Sequence, residues 1–256
     1  MSDAPAAAFQ PDTELVDDIH PSPNVNERQN GARPAMLVLH YTGLPSVTRS
    51  IEVLADPECQ VSCHYVIDET GRITQMVPER LRAWHAGLSC WHGETDLNSI
   101  SIGIEIQNPG HSDGYPDFPE VQMRAVIALA KDIITRHAIR ADHVLAHSDV
   151  APLRKDDPGE KFAWPELAAA GIGHWVAPEP VDGAPPPTPP AKADVAEAQK
   201  LFRDYGYDCP QNGTVDDVTA KVITAFQRHF RPARVDGRLD ASTLETLRKL
   251  VAARPD

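Results

Sequence analysis

No apolar run in this chain approaches the roughly twenty residues that a bilayer-spanning helix requires, which argues against a transmembrane class. Basic charge is scarce: 24 Lys and Arg stand against 37 Asp and Glu, a formal net charge of -13. Proteins that grip phosphate need a clustered basic surface, so nucleic acid and anionic membranes are excluded as partners, and the acidity is explained by solubility. Cysteine is sparse as well. Cys59, Cys63, Cys90 and Cys209 form no C-x-x-C pair and are too few to staple a chain of 256 residues, which favours free thiols in a reducing compartment. The opening stretch MSDAPAAAFQPDTELVDDIHPSPN lacks both a basic segment and an apolar core of roughly seven residues. The sequence as given therefore predicts a cytoplasmic protein, or a periplasmic one if a leader has been removed.

What remains is ordinary globular material, 41% hydrophobic and 24% charged, in a length that suits one medium domain and one small one. The proline-rich run PEPVDGAPPPTPPAK, Pro178 to Lys192, marks the division. Proline fixes φ and removes backbone donors, so such a run is expected to be an extended spacer, able to hold its flanks roughly 40 Å apart. The reading is an N-terminal extension over 1–32, a catalytic domain over 33–177, a linker over 178–192 and a small domain over 193–256.

Within the larger part, strand and helix patterns alternate. AMLVLHYT reads as a buried central strand, and CHYVIDETGRITQMV as two strands about a turn at Glu69, Thr70 and Gly71. In SISIGIEIQN the residues Ile100, Ile102, Ile104 and Ile106 share one face, and Ser101, Gly103, Glu105 and Gln107 share the other. PEVQMRAVIALAKDIITRHAI, opened by Pro119, is an amphipathic helix, and HVLAH a short strand. The pattern predicts an α/β (α+β) fold: a mixed central sheet flanked by helices, with a metal site at the sheet edge. In the tail, DVAEAQKLFRDYGYD, DDVTAKVITAFQRHF and DASTLETLRKLVAA predict three helices, the first stopped by Gly206 and the others opened by aspartate caps, making a small all-α domain.

His40 and His147 each end a similar apolar strand, and Asp157 follows His147 by ten positions. Two imidazoles and a carboxylate leave one place open on tetrahedral zinc, the arrangement of a catalytic site. Spacing alone does not single these out from eleven histidines.

Five motifs in order do. VLHYT, SCHYVID, WHAG, LNSISIGIEI and AHSDVAPLRKDDPG together resemble the zinc-dependent N-acetylmuramoyl-L-alanine amidases related to bacteriophage T7 lysozyme and the peptidoglycan recognition proteins, over nearly all of residues 33 to 176. The resemblance implies His40, His147 and Asp157 as zinc ligands, with Asp157 preferred to Asp156 because it stands immediately before Pro-Gly, and Asp149 as a local cap. It implies Glu105 as general base and Lys155 as oxyanion stabiliser. Tyr41, Arg72, Trp84, His85 and Asn98 are candidates for substrate contact, while His64 and Cys63 are read as structural. GYD, AFQRHF and VDGRLDASTLETL resemble the peptidoglycan-binding domain found beside cell-wall hydrolases. The implied activity is cleavage of the amide between N-acetylmuramic acid, 1,6-anhydro forms included, and L-alanine of the stem peptide. Its partners are muropeptides or murein. The alternative is a recognition protein of the same fold that holds muropeptide without cutting it.

Overall fold

The computed structural model describes residues 9–181, 183 and 190–255. Residues 182 and 184–189 of the proline run lie outside the described residues. The elements are, in chain order, β1 (Asp18–Ile19), β2 (Val25–Glu27), β3 (Met36–Tyr41), α1 (Val47–Ala55), β4 (Tyr65–Ile67), β5 (Ile73–Gln75) and β6 (Leu81–Ala83). There follow α2 (Leu97–Ile100), β7 (Ser101–Ile106), α3 (Glu120–His137), β8 (Val144–Ala146), α4 (His147–Val150) and α5 (Trp164–Ala169). The tail adds α6 (Lys192–Tyr205), α7 (Asp217–Phe230) and α8 (Ala241–Ala252).

Six strands form one sheet in the order β1-β5-β4-β7-β3-β8. All neighbours are parallel except the β4–β5 hairpin. Alternation assigns its faces. Leu37, Leu39, Ile102, Ile104 and Ile106 pack on Met123, Val126, Leu129, Ala130 and Ile133 of α3. Each such aliphatic contributes about 1.5–3 kcal/mol by leaving water. Ile100 does not join that face; it closes α2 and packs with the core on the other side.

That second core corrects the picture of two separated domains. Met36, Val38 and Leu145 of the sheet share one apolar cluster with Phe202, Tyr205, Phe226 and Phe230 of the α6–α8 bundle, with Trp91 buried between. Gly206 ends α6, as its position suggests, and also admits the Trp91 ring, which a Cβ there would meet at 2.4 Å. Residues before 33, read from sequence as an extension, are woven into the fold: β1 pairs with β5, and β2 with β6. Asp216 and Asp240 cap α7 and α8 as expected. Among the described residues, no helix is long and apolar enough to cross a membrane.

Glu79 ties the sheet to α3. Its carboxylate accepts from Tyr65 Oη (2.7 Å), His137 Nε2 (2.7 Å) and Arg136 Nη2 (2.7 Å) while only 3% exposed. Burial alone would raise this carboxyl, but the donors from Arg136, His137 and Tyr65 outweigh it and hold it down at about 2 against an ordinary 4.5. A depressed carboxylate stabilises the fold fully above its unfolded pKa and loses that contribution as pH falls through the folded one. Urea midpoints should therefore drop between pH 4.5 and 2 by the equivalent of roughly 2 to 3 kcal/mol in wild type and by visibly less in Glu79→Gln. A parallel fall in both proteins would assign the acid sensitivity elsewhere.

Candidate metal centre and active site

β3 and β8 are hydrogen-bonded neighbours with Leu39 opposite Ala146, so the residues that follow, His40 and His147, leave the sheet side by side at its carboxyl end. Asp157 returns to them through a loop pinned by the Ser148 N–H, which donates to the Asp157 carbonyl at 2.9 Å. His40 Nδ1 and His147 Nδ1 stand 2.8 Å apart, and Asp157 Oδ2 lies 3.2 and 3.0 Å from them. All three residues are buried, and their donor atoms lie within 4.8 Å of one another. Burial, with His147 beside it, pushes His40 down to about 4, so its ring is neutral. Burial alone would raise the Asp157 carboxyl, but His147 and His40 outweigh it and hold it well below the usual carboxylate range. Unprotonated imidazole and ionised carboxylate are the ligand forms, so the set fits a divalent metal ion of borderline softness. The neighbouring Asp156 turns away and pairs with Arg228 of α7 at 2.7 Å. Cys63 sits in a small apolar cluster with Leu54, Val66 and Met76, apart from this group.

Glu105 lies on β7 directly across from His40. It is partly buried, with Oε2 out of water and without a hydrogen-bond partner. Burial pushes its carboxyl well above the ordinary value; Asp157 adds to the rise and Lys155 opposes it. The pocket over these groups is lined by Glu105, Lys155, His147 and Asp157, with Tyr41 and Trp84 on its walls. Tyr41 Oη meets His111 Nδ1 at 3.0 Å, and Trp84 Nε1 donates to Asn26 Oδ1 at 2.7 Å, which orients both rings.

Of the residues proposed for substrate contact, Arg72 and Asn98 do not line this pocket, and His85 does so from behind His40. Arg72 is at the β4–β5 turn, where its Nε donates to Asp18 Oδ2 at 2.7 Å, and it is not among the pocket-lining residues. Asn98 is buried, its Oδ1 accepting from the backbone N–H groups of His85 (3.0 Å) and Ala86 (2.8 Å). His85 touches the pocket but lies behind His40, with Nδ1 at 3.0 Å from His40 Nε2. Its ring fills the space left by Gly103, where a Cβ would approach within 2.5 Å. Polar residues in a motif read alike whether they face a ligand or the backbone, and only the tertiary path separates the two.

Two features escaped the sequence reading. Arg154 reaches back to the Ala86 carbonyl, which also accepts from His147 Nε2 at 3.1 Å; the 3.3 Å approach of Arg154 to that nitrogen follows from the shared acceptor. The cation beside Lys155 was visible in PLRKD, but nothing local says which of the pair turns inward. Asp149 does cap its helix start, accepting from Ala146 N at 2.8 Å, yet it also accepts from Tyr207 Oη and His229 Nδ1 of the bundle, each at 2.6 Å.

A mostly parallel sheet presenting two imidazoles at adjacent strand ends, with a loop carboxylate between them and a partly buried carboxylate across the sheet, defines a metal-dependent hydrolase. The family described as N-acetylmuramoyl-L-alanine amidase matches residues 30–160, and a putative peptidoglycan binding domain matches 191–247. The chain is 42% identical over 227 residues to N-acetylmuramoyl-L-alanine amidase AmiD of Escherichia coli, covering 82% of this chain and 80% of that protein. The E. coli AmiD structure with the substrate anhydro-N-acetylmuramic acid-L-Ala-D-gamma-Glu-L-Lys superposes with a TM-score of 0.75 at 40% identity, covering 89% of this chain and 92% of that one. AMPDH3 of Pseudomonas aeruginosa, in complex with anhydromuramic pentapeptide, gives 0.71 at 37% identity over 90% and 94%. The chain belongs to the N-acetylmuramoyl-L-alanine amidase family.

Proposed function

We propose that this protein is a zinc hydrolase that releases the stem peptide from N-acetylmuramic acid, 1,6-anhydro forms included, by cutting the amide to L-alanine. The observation that carries the reading is Glu105, a partly buried carboxylate whose Oε2 is shut from water and satisfied by no protein group, placed across one strand pairing from His40. A recognition protein has no use for a desolvated, unpaired acid, whereas general base catalysis needs one whose pKa has risen toward neutrality. His40, His147 and Asp157 would hold zinc, which supplies Lewis acidity toward the scissile carbonyl and lowers the pKa of water to about 7. Glu105 takes the proton of the attacking water and returns it to the leaving amine of L-alanine. Lys155, on the same pocket wall, places positive charge where the carbonyl oxygen becomes an anion. Tyr41 and Trp84 flank the pocket as apolar walls for sugar or peptide. Free thiols favour a reducing, cytoplasmic setting in which soluble muropeptides are the substrate; a periplasmic one adds intact murein.

Mass spectrometry of products from anhydro-muropeptide and from sacculi, with the protein as prepared, stripped by chelator and reloaded with zinc, tests the proposal. Stem peptide should appear with the zinc-loaded protein, fall to background on stripping and return on reloading. Because zinc binds the native state alone, reloading should also raise the melting temperature. Retention of muropeptide without any release of peptide would restore the recognition reading.

A further inference from the structure

We infer that the step from His85 to Ala86 selects the tautomer of both metal-facing imidazoles, and that Ser101 and Asn98 hold the step to that task. The inference rests on reading His40, His147 and Asp157 as ligands. Both rings turn Nδ1 toward Asp157, so each Nδ1 must be free of hydrogen to coordinate and each Nε2 must carry it. For His147 the requirement is met directly: Nε2 lies 3.1 Å from the Ala86 carbonyl, which only accepts.

For His40 the partner is another imidazole, His85 Nδ1 at 3.0 Å, and the pair alone does not fix who donates. Ser101 does. Its Oγ lies 2.6 Å from the Leu97 carbonyl and must donate to it, which leaves a lone pair toward His85 Nε2 at 3.1 Å. His85 Nε2 therefore donates, His85 Nδ1 accepts, and His40 keeps its hydrogen on Nε2. A backbone carbonyl thus sets the direction of a relay that ends at the metal face of His40. Ser101, His40 and His85 are 0%, 1% and 8% exposed, so water does not substitute for the missing links. Asn98, through its two backbone bonds, positions His85 and Ala86 together, and Gly103 leaves the space for the His85 ring.

The test compares full-length wild type, Ser101→Ala, His85→Asn and His85→Phe by zinc competition against a chelating dye and by nitrogen NMR of the histidine rings in the metal-free protein. Wild-type His40 should show hydrogen on Nε2. Ser101→Ala should populate both tautomers of His40, and His85→Phe should weaken zinc binding by roughly 10- to 100-fold, the usual cost of losing an outer partner. His85→Asn, which returns an acceptor near the Nδ1 position, should recover most of that loss. Unchanged affinity in His85→Phe together with an unchanged tautomer in Ser101→Ala would overturn the relay. If His85→Phe does not fold, Ser101→Ala decides alone, since it removes one oxygen and leaves the packing. Failure of wild type itself to bind zinc would instead overturn the metal reading.

Discussion

Glu105→Gln should lower turnover by roughly 100- to 10,000-fold with little change in substrate affinity, and should at the same time make the metal-free protein more stable. The two effects share one cause. Glu105 Oε2 is shut away from water without a partner, and burial raises its carboxyl well above the ordinary range. A group raised in the fold is unfavourable when ionised, so near neutrality the native state carries the penalty of a desolvated charge, on the order of 1–3 kcal/mol. Glutamine keeps the shape and removes the charge, so the melting temperature should rise by a few degrees. It cannot take a proton, so in the proposed mechanism the step that deprotonates the attacking water loses its base. The loss should fall on kcat, because a carboxylate reserved for the proton makes no contact that holds ground-state substrate. Steady-state kinetics with a purified muropeptide, beside calorimetry of the metal-free proteins, reads both. Near-wild-type turnover in Glu105→Gln would move the base to another residue, and a lower melting temperature would mean that Glu105 has a stabilising partner in solution.

The sequence made this residue visible because alternation along β7 sends Ile102, Ile104 and Ile106 into the α3 core and therefore Glu105 to the opposite face. The same local logic placed His40 and His147 at strand ends. It could not place them together, since the β3–β8 pairing joins segments about a hundred residues apart, and the resemblance to a family supplied that step. Side chains whose partners come from elsewhere in the chain were the hardest to place. Arg72 looks free in a turn until β1 brings Asp18 beside it. His85 and Asn98 look like groove residues until the fold sets the His85 ring over Gly103 and against His40, with Asn98 holding the His85 and Ala86 N–H groups. The proline run spoke only of its own stiffness, whereas docking of the bundle depends on the apolar cluster that Trp91 shares with Phe226 and Phe230. Asp149 was legible as a cap because its bond to Ala146 N spans three residues, and illegible as an anchor because Tyr207 and His229 lie far along the chain.

That anchor gives the second large effect. Asp149→Ala should destabilise the protein by roughly 3–5 kcal/mol, the range for breaking a buried charged contact on one side. Asp149 is fully buried, and its loss leaves three donors without an acceptor: the Ala146 N–H, the Tyr207 hydroxyl and His229 Nδ1. Two of these belong to the bundle and one to the start of α4, whose first residue is His147, so the same deletion loosens the docking of the bundle and the seat of His147, a ligand in the proposed metal site. Tyr207→Phe removes a single bond and should cost only about 1–3 kcal/mol. Because the sheet and bundle share one apolar core, wild type should unfold in urea as a single transition seen alike by tryptophan fluorescence and circular dichroism. In Asp149→Ala the two probes should separate, the bundle leaving the sheet first, and zinc affinity should fall with the first transition. A single, unshifted transition with unchanged zinc binding would show that apolar contacts alone seat the bundle and that the buried carboxylate is a local cap and nothing more.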